Sequence, residues 1–211
     1  LVPFHSWRIT HAAHHAYTNH MTKDQLCVPK TRSQLSRKPL SGHGDEHESI
    51  IEETPIYTFL YAIAIALVGW PSYLIWNILG QDYGPGTSHF NPNSALFRPE
   101  QRKQVIASIL GVVAMLGLLT WSGFQWSWKI PLLYYALPYL WVNIWLVVIT
   151  YTQHTHPELP HYRQGEWSFV RGALCTVDHD FGSFLNARFH HIQDTHVCHH
   201  LIPNIPHYNA V

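Results

Sequence analysis

The chain has 211 residues, and its 13 Lys and Arg residues balance its 13 Asp and Glu residues, so the formal charge is zero. A nucleic-acid-binding protein would carry a clear basic excess, so this balance argues against that class. Charged residues amount to 12% and aromatic residues to 14%, a composition that favours an integral membrane protein with aromatic belts at the interface.

The first predicted element is a helix with a histidine triplet, His-Ala-Ala-His-His, at residues 11–15. Each helical residue turns by about 100°, so positions i, i+3 and i+4 share one face. His11, His14 and His15 therefore form one stripe. Because neutral imidazole is the commonest metal ligand among side chains, the triplet predicts a metal-binding face.

Three apolar stretches follow, at Ile56–Leu79, Val105–Trp121 and Ile130–Tyr151, and none contains a charged residue. As helices they would be about 36, 25 and 33 Å long, against about 30 Å for the hydrocarbon core of a bilayer. Buried helices of a large soluble protein are the alternative interpretation. Three such stretches in a chain of this length favour a membrane protein.

The distribution of Lys and Arg predicts the topology. Basic residues precede Ile56 and recur between residues 80 and 104, whereas the 122–129 segment has only Lys129. Since Lys and Arg favour the cytoplasmic side, both flanks of the first stretch are expected there. We therefore predict that this stretch is interfacial or re-entrant, bent at Gly69-Trp70-Pro71. The other two stretches form a transmembrane hairpin with a Trp-rich exoplasmic turn.

Two further histidine motifs come after the hairpin. The third stretch ends in Thr150-Tyr-Thr-Gln-His-Thr-His-Pro, which places His154 at the membrane surface, and a second triplet, His-Val-Cys-His-His, begins at residue 196. We predict that His196, His199 and His200 join the first triplet at one metal site. For His154 a ligand role is favoured over a hydrogen bond from an interfacial imidazole to a carbonyl group.

Other polar residues are weaker candidates. His156 precedes a proline, and His190 lies outside the triplets, so both are only possible extra ligands. Metal-bound histidines usually donate their second N–H to a carboxylate or carbonyl, and three carboxylates near the second triplet could serve. These are Asp178, Asp180 and Asp194. The hydrophilic stretch 41–53 is predicted to be a surface loop in which His43 and His47 are solvated.

The ligand count favours two metal ions. A catalytic zinc takes about three protein ligands and a structural zinc about four, so two triplets exceed the needs of one ion. Imidazole suits zinc, copper, iron and nickel, so ligand type alone leaves the element open.

The two H-x-x-H-H motifs, joined by Gln-His-Thr-His-Pro, resemble the histidine boxes of the membrane fatty acid desaturases. The resemblance is greatest to the fungal and plant delta-12, or oleate, desaturases. It extends over the whole chain and includes His5-Ser-Trp-Arg, Gly69-Trp-Pro and Arg171-Gly-Ala-Leu.

The resemblance implies a centre of two non-haem iron ions and oxygen-dependent insertion of a cis double bond into a lipid-linked or coenzyme A-linked acyl chain. It also implies electrons from NADH through cytochrome b5 and its reductase, at the endoplasmic reticulum, with the histidine boxes facing the cytosol. The family has an earlier H-x-x-x-H box that this sequence lacks. We therefore expect one desaturase domain over residues 1–211, truncated at the N-terminus and also at the C-terminus.

The expected fold is an all-α integral membrane protein, in which a transmembrane hairpin and one interfacial or re-entrant segment support a cytoplasmic helical cap with the histidine boxes. Within the same superfamily, a hydroxylase, an acetylenase or a desaturase of other regiospecificity stays open. A histidine-rich zinc transporter is an alternative of another class, although it would need polar residues along its spans. A third alternative, a metal-free membrane scaffold, would not explain the two histidine triplets.

Overall fold

The computed structural model describes residues 1–31, 34 and 54–211, and this part of the chain contains helices, loops and one isolated bridge between His20 and Tyr162. Short 3-10 turns lie at Pro99–Gln101 and His207–Asn209. The helices are α1 (Phe4–Tyr17), α2 (Pro55–Trp76), α3 (Arg102–Gln125), α4 (Lys129–His154), α5 (Phe169–Ala173), α6 (Ser183–Arg188) and α7 (His196–Leu201).

Three of these helices, α2, α3 and α4, are long and apolar enough to cross a membrane. In the most apolar window of α4 only 6% of the residues are buried inside the protein. Large apolar side chains on a free helix surface are stable in lipid rather than in water. The predicted all-helical membrane fold is therefore confirmed for the described residues.

The ends of the long helices differ slightly from the predicted stretches. Helix α2 ends at Trp76, three residues before Leu79, because Asn77 turns to a positive φ of 54° and its N–H donates to the Tyr73 carbonyl. Such a left-handed residue is a common helix terminator. Helix α4 continues beyond Tyr151 to His154, so it delivers a histidine to the end of the span.

Helix α2 passes without interruption through Gly69 and Pro71, where a bend is predicted. Proline within a helix is tolerated in membranes when neighbouring groups satisfy the freed carbonyl. Beyond the helix, the Leu79 carbonyl accepts a hydrogen bond from the Val28 N–H at 3.2 Å, which ties this end to the segment after α1. That α2 lies in the interface or re-enters stays a prediction, since its 22 residues also suit a full crossing.

Helices α3 and α4 are joined by a short turn, and their contacts lie at this turn, between α3 and Lys129–Pro131. At this turn the Trp128 ring lies against Gly123, where an added Cβ would be 2.6 Å from the ring. Trp121 and Trp126 are 52% and 60% exposed. Exposed tryptophans at the end of an apolar hairpin are typical of a membrane–water interface.

The C-terminal tail is fixed to the end of α1. The Trp167 indole N–H donates to the Thr18 carbonyl at 2.9 Å, and the Asn19 amide donates to the Cys175 carbonyl at 2.7 Å. Gly172 packs so closely on the Thr18 carbonyl that an added Cβ would be 2.1 Å from its oxygen. These contacts hold the segment that carries α7 against α1, which brings distant histidines together.

Candidate metal centre

Seven histidines from three separate helices meet beside the end of α4. Helix α1 carries the first triplet, the last residue of α4 is a histidine, and α7 carries the second triplet. The seven are His11, His14, His15, His154, His196, His199 and His200. The structure therefore brings together all seven residues that the sequence singles out as metal ligands.

Six of the seven fall into two groups of three, within each of which the candidate ligand atoms lie within 4.8 Å of one another. The outer group is His11, His15 and His199, and the inner group is His14, His154 and His200. All three inner residues are buried, whereas His11 and His199 are partly exposed. With metal–nitrogen bonds of about 2.0–2.1 Å, ligands of one ion lie about 3–4 Å apart, so small side-chain shifts would close each group on an ion.

The two groups adjoin each other. The His15 and His200 rings stack with centroids 4.2 Å apart, although they belong to different groups. Two pairs of Nε2 atoms face one another, His11 with His15 at 3.1 Å and His154 with His196 at 2.9 Å. His196 is thus next to the inner group, where it could serve as a further ligand.

Two histidines of the inner group are held in place by hydrogen bonds at their Nδ1 atoms. The His14 Nδ1–H donates to the Asp24 carboxylate at 2.6 Å. The Thr18 hydroxyl donates to the His14 carbonyl, so its oxygen accepts from the His200 Nδ1–H at 3.0 Å. Both rings therefore turn an unprotonated Nε2 towards the group, and within the described residues these buried Nε2 atoms have no hydrogen-bond partner. Buried lone pairs without a donor fit metal ligands, so these residues fit a bound ion.

An apolar cavity of about 310 Å³ lies beside the histidines, between α1, α2 and α4. Its wall includes Trp7, Ile65, Gly69, Trp70, Leu146 and Val147. Four of the seven histidines also line it, namely His11, His154, His196 and His199. A hydrocarbon segment in this cavity would lie directly against both groups, as in apolar ligand sites with a few convergent polar side chains.

A family model described as fatty acid desaturase matches residues 1–211, which is the whole chain. The chain belongs to the fatty acid desaturase family. The resemblance predicted from the histidine motifs is therefore confirmed.

Proteins from fungi and plants that are similar to this desaturase-family chain include delta-12 desaturases and an oleate hydroxylase. It is 51% identical to a delta-12 fatty acid desaturase of Mortierella isabellina, with 100% of this chain and 54% of the relative covered. It is 42% identical to an oleate hydroxylase of Claviceps purpurea and 40% identical to a delta-12 desaturase of Arabidopsis thaliana, covering 47% and 52% of those proteins and 100% of this chain. The chain thus spans about half the length of these relatives.

The three carboxylates predicted to support the metal ligands bind elsewhere. Asp194 accepts from His191 Nδ1 at 2.9 Å, because His191 is three residues earlier on the same turn. Asp178 accepts from the Val197 N–H at the start of α7, and Asp180 accepts from the Gly182 N–H. In the part of the chain described, none of them makes a hydrogen bond with a histidine of either group.

Asp24, which the sequence reasoning did not select, is the carboxylate that contacts a cluster histidine. The sequence gives little indication of this contact, because an aspartate ten residues after His14 has no characteristic spacing. His156 and His190 are exposed and lie away from both groups, so the structure does not bring them to the centre. The predictions for His43 and His47 fall outside the described residues.

Burial lowers the pKa of five cluster histidines on α1 and α7. Desolvation, followed by the neighbouring histidines, lowers the pKa of His11 to about 3 and those of His15 and His196 to about 2, from the ordinary 6.5. The pKa values of His199 and His200 are lowered for the same reasons. Neutral imidazole is the form that binds a metal, so the site is prepared for ligation at neutral pH.

Acid is expected to destabilise the metal-free protein. Because the folded-state pKa values of His11, His15 and His196 lie below 6.5, the unfolded chain binds more protons once the pH falls below that value. Stability is therefore fully present above pH 6.5 and should fall by about 1–2 kcal/mol per histidine on going to about pH 5. Thermal unfolding followed by circular dichroism at several pH values measures this, with His156→Gln as the control. An unchanged midpoint between about pH 7.5 and pH 5 would contradict it.

Proposed function

We propose that the protein is an oxygen-dependent acyl desaturase that inserts a cis double bond, at the delta-12 position of an oleoyl chain linked to a membrane lipid or to coenzyme A. The observation that carries this proposal is the apolar cavity lined by histidines of both groups. The names of the delta-12 relatives support the position of the double bond.

The seven histidines would hold two non-haem iron ions. When bound, these ions would supply the activation of dioxygen and the oxidising power to remove hydrogen from an unactivated carbon. In the balanced reaction, two adjacent methylenes lose two hydrogen atoms. With two electrons and two protons from a donor, these reduce dioxygen to two waters. We propose NADH as the electron source, through cytochrome b5 and its reductase.

The residues of the chain would orient the histidine rings, bind the acyl chain and shield it from water. Asp24 and Thr18 fix the rings of His14 and His200 with Nε2 directed inwards. The wall of the cavity, with Trp70 and Val147, would exclude water and hold two methylenes against the histidines. No separate acid or base side chain is required, and we propose none.

Fatty acid profiling tests the proposal. The complete gene is expressed in a yeast that makes no polyunsaturated fatty acids, and the lipids are analysed by gas chromatography with mass spectrometry. We expect an 18-carbon diene with a new double bond at carbon 12. Hydroxylated oleate would instead support the hydroxylase alternative, in line with the oleate hydroxylase among the relatives. An unchanged profile with protein present in the membranes would contradict both.

We also propose that the protein lies in the endoplasmic reticulum membrane with its histidines facing the cytosol. The Lys and Arg residues before α2 and between α2 and α3 support this orientation. Single cysteines at positions 90 and 165 should then react from the cytosolic side, and one at 125, the last residue of α3, should react from the lumenal side. Position 45, predicted to be cytosolic, lies outside the described residues. Labelling of position 90 from the lumen would show that α2 crosses the membrane fully.

A further inference from the structure

The two histidine groups differ in how their rings are held. In the inner group, His14 and His200 each donate an Nδ1–H to a buried oxygen, so their orientation is fixed. In the outer group, His15 Nδ1 is buried and has no hydrogen-bond partner among the described residues. The other outer rings, those of His11 and His199, are partly exposed and line the cavity. Two ions bound here would therefore have different environments.

Asp24, which accepts a hydrogen bond from His14 of the inner group, is itself held firmly in place. Its side chain is 3% exposed, and that of His14 is 2% exposed. Besides His14, the carboxylate accepts from the Asn19 N–H at 2.7 Å and from the Leu26 N–H at 3.1 Å. These two backbone groups hold both carboxylate oxygens in place, so the hydrogen bond sets the direction of the His14 ring rather than following it.

We propose that Asp24 is a positioning residue that makes the inner group the tighter of the two metal sites, an inference that rests on the proposed function. A carboxylate on Nδ1–H fixes the tautomer and raises the basicity of Nε2, the atom that would bind the ion. Its negative charge, enclosed in a region of low dielectric, also attracts a cation held on the far side of the ring.

The order of metal release follows from this difference. An ion in the outer group would have two partly exposed ligands, His11 and His199, so a chelator should reach it first. An ion in the inner group is surrounded by three buried histidines, two of which are anchored. Iron should therefore leave the protein in a fast and a slow phase of equal size.

The test is the rate of iron release from the product of the complete gene, loaded with ferrous iron in detergent and mixed with the colorimetric chelator ferrozine. Asp24→Asn keeps the size of the side chain and removes its charge. We expect it to accelerate the slow phase by about 10–100-fold, which is the usual effect of mutating a residue that hydrogen-bonds to a metal ligand. The fast phase should stay unchanged. Thr18→Val, which removes the acceptor of His200, should also accelerate only the slow phase, and it tests the same anchoring if Asp24→Asn fails to accumulate.

The matched control is Asp194→Asn, since Asp194 also pairs with a histidine but lies outside both groups. It should leave both phases as in the wild type. Fewer than two irons in the loaded wild type would contradict the proposed function itself. Two irons that leave in a single phase, or a slow phase that neither anchoring variant changes, would contradict this inference alone.

Discussion

Replacement of His200 by alanine is expected to reduce diene formation below detection while the protein stays in the membrane. His200 is a fully buried member of the inner group that stacks on His15 of the outer group, and its Nε2 has no hydrogen-bond partner among the described residues. Alanine would remove one of the three candidate ligands of the inner group. The measurement is the fatty acid profile of yeast expressing the variant, together with the amount of protein in the membrane fraction.

The same loss is expected for alanine at each other cluster histidine, namely His11, His14, His15, His154, His196 and His199. The matched controls are His156→Ala and His190→Ala, because both residues are exposed and lie apart from the groups. The controls should form product at the wild-type level. Wild-type product levels from any two cluster variants would show that the histidines do not act as one centre.

Filling the cavity should abolish turnover without removing the metal. Gly69 faces α4, and an added Cβ would lie 3.3 Å from Ile65 Cγ2 and 3.6 Å from Val147 Cγ2. Both neighbours line the cavity, so the ring in Gly69→Phe must extend into the space proposed for the acyl chain. Because a displacement of about 1 Å can cost about 100-fold in rate, we expect a loss of at least that size, with the iron content unchanged.

Gly111→Phe is the matched control for this variant. Gly111 lies on the exposed face of α3, where an added Cβ would meet no atom of the described residues within 4 Å. It should retain wild-type product formation. If Gly69→Phe also forms product at the wild-type level, the acyl chain does not use this cavity.

The two histidine triplets could be predicted from the sequence because their pattern is local. Spacings of i, i+3 and i+4 place three imidazoles on one helix face whatever the rest of the chain does, and both triplets lie on helices. His154 could be predicted from its position at the end of an apolar span, where α4 delivers it to the centre. The hairpin follows from the length and polarity of its two stretches.

The residues that hydrogen-bond to the candidate ligands could not be predicted, since these hydrogen bonds depend on tertiary contacts. Asp24 reaches His14 because the chain turns back after α1, where Asn19 takes a positive φ of 58°. No spacing rule encodes that turn. Proximity in sequence made Asp194 a candidate partner of the second triplet, yet its carboxylate accepts from His191 instead. Thr18 takes part only because the tail brings α7 against the end of α1.

Metal analysis of the purified product of the complete gene tests most directly whether the seven histidines hold two irons. We expect two irons per protein chain in the wild type. Since each histidine group would hold one of them, we expect one iron per chain in both His14→Ala, from the inner group, and His15→Ala, from the outer group. The His156→Ala control should keep both irons. Zinc in place of iron, as in a transporter, or an iron content that neither variant lowers, would contradict this account.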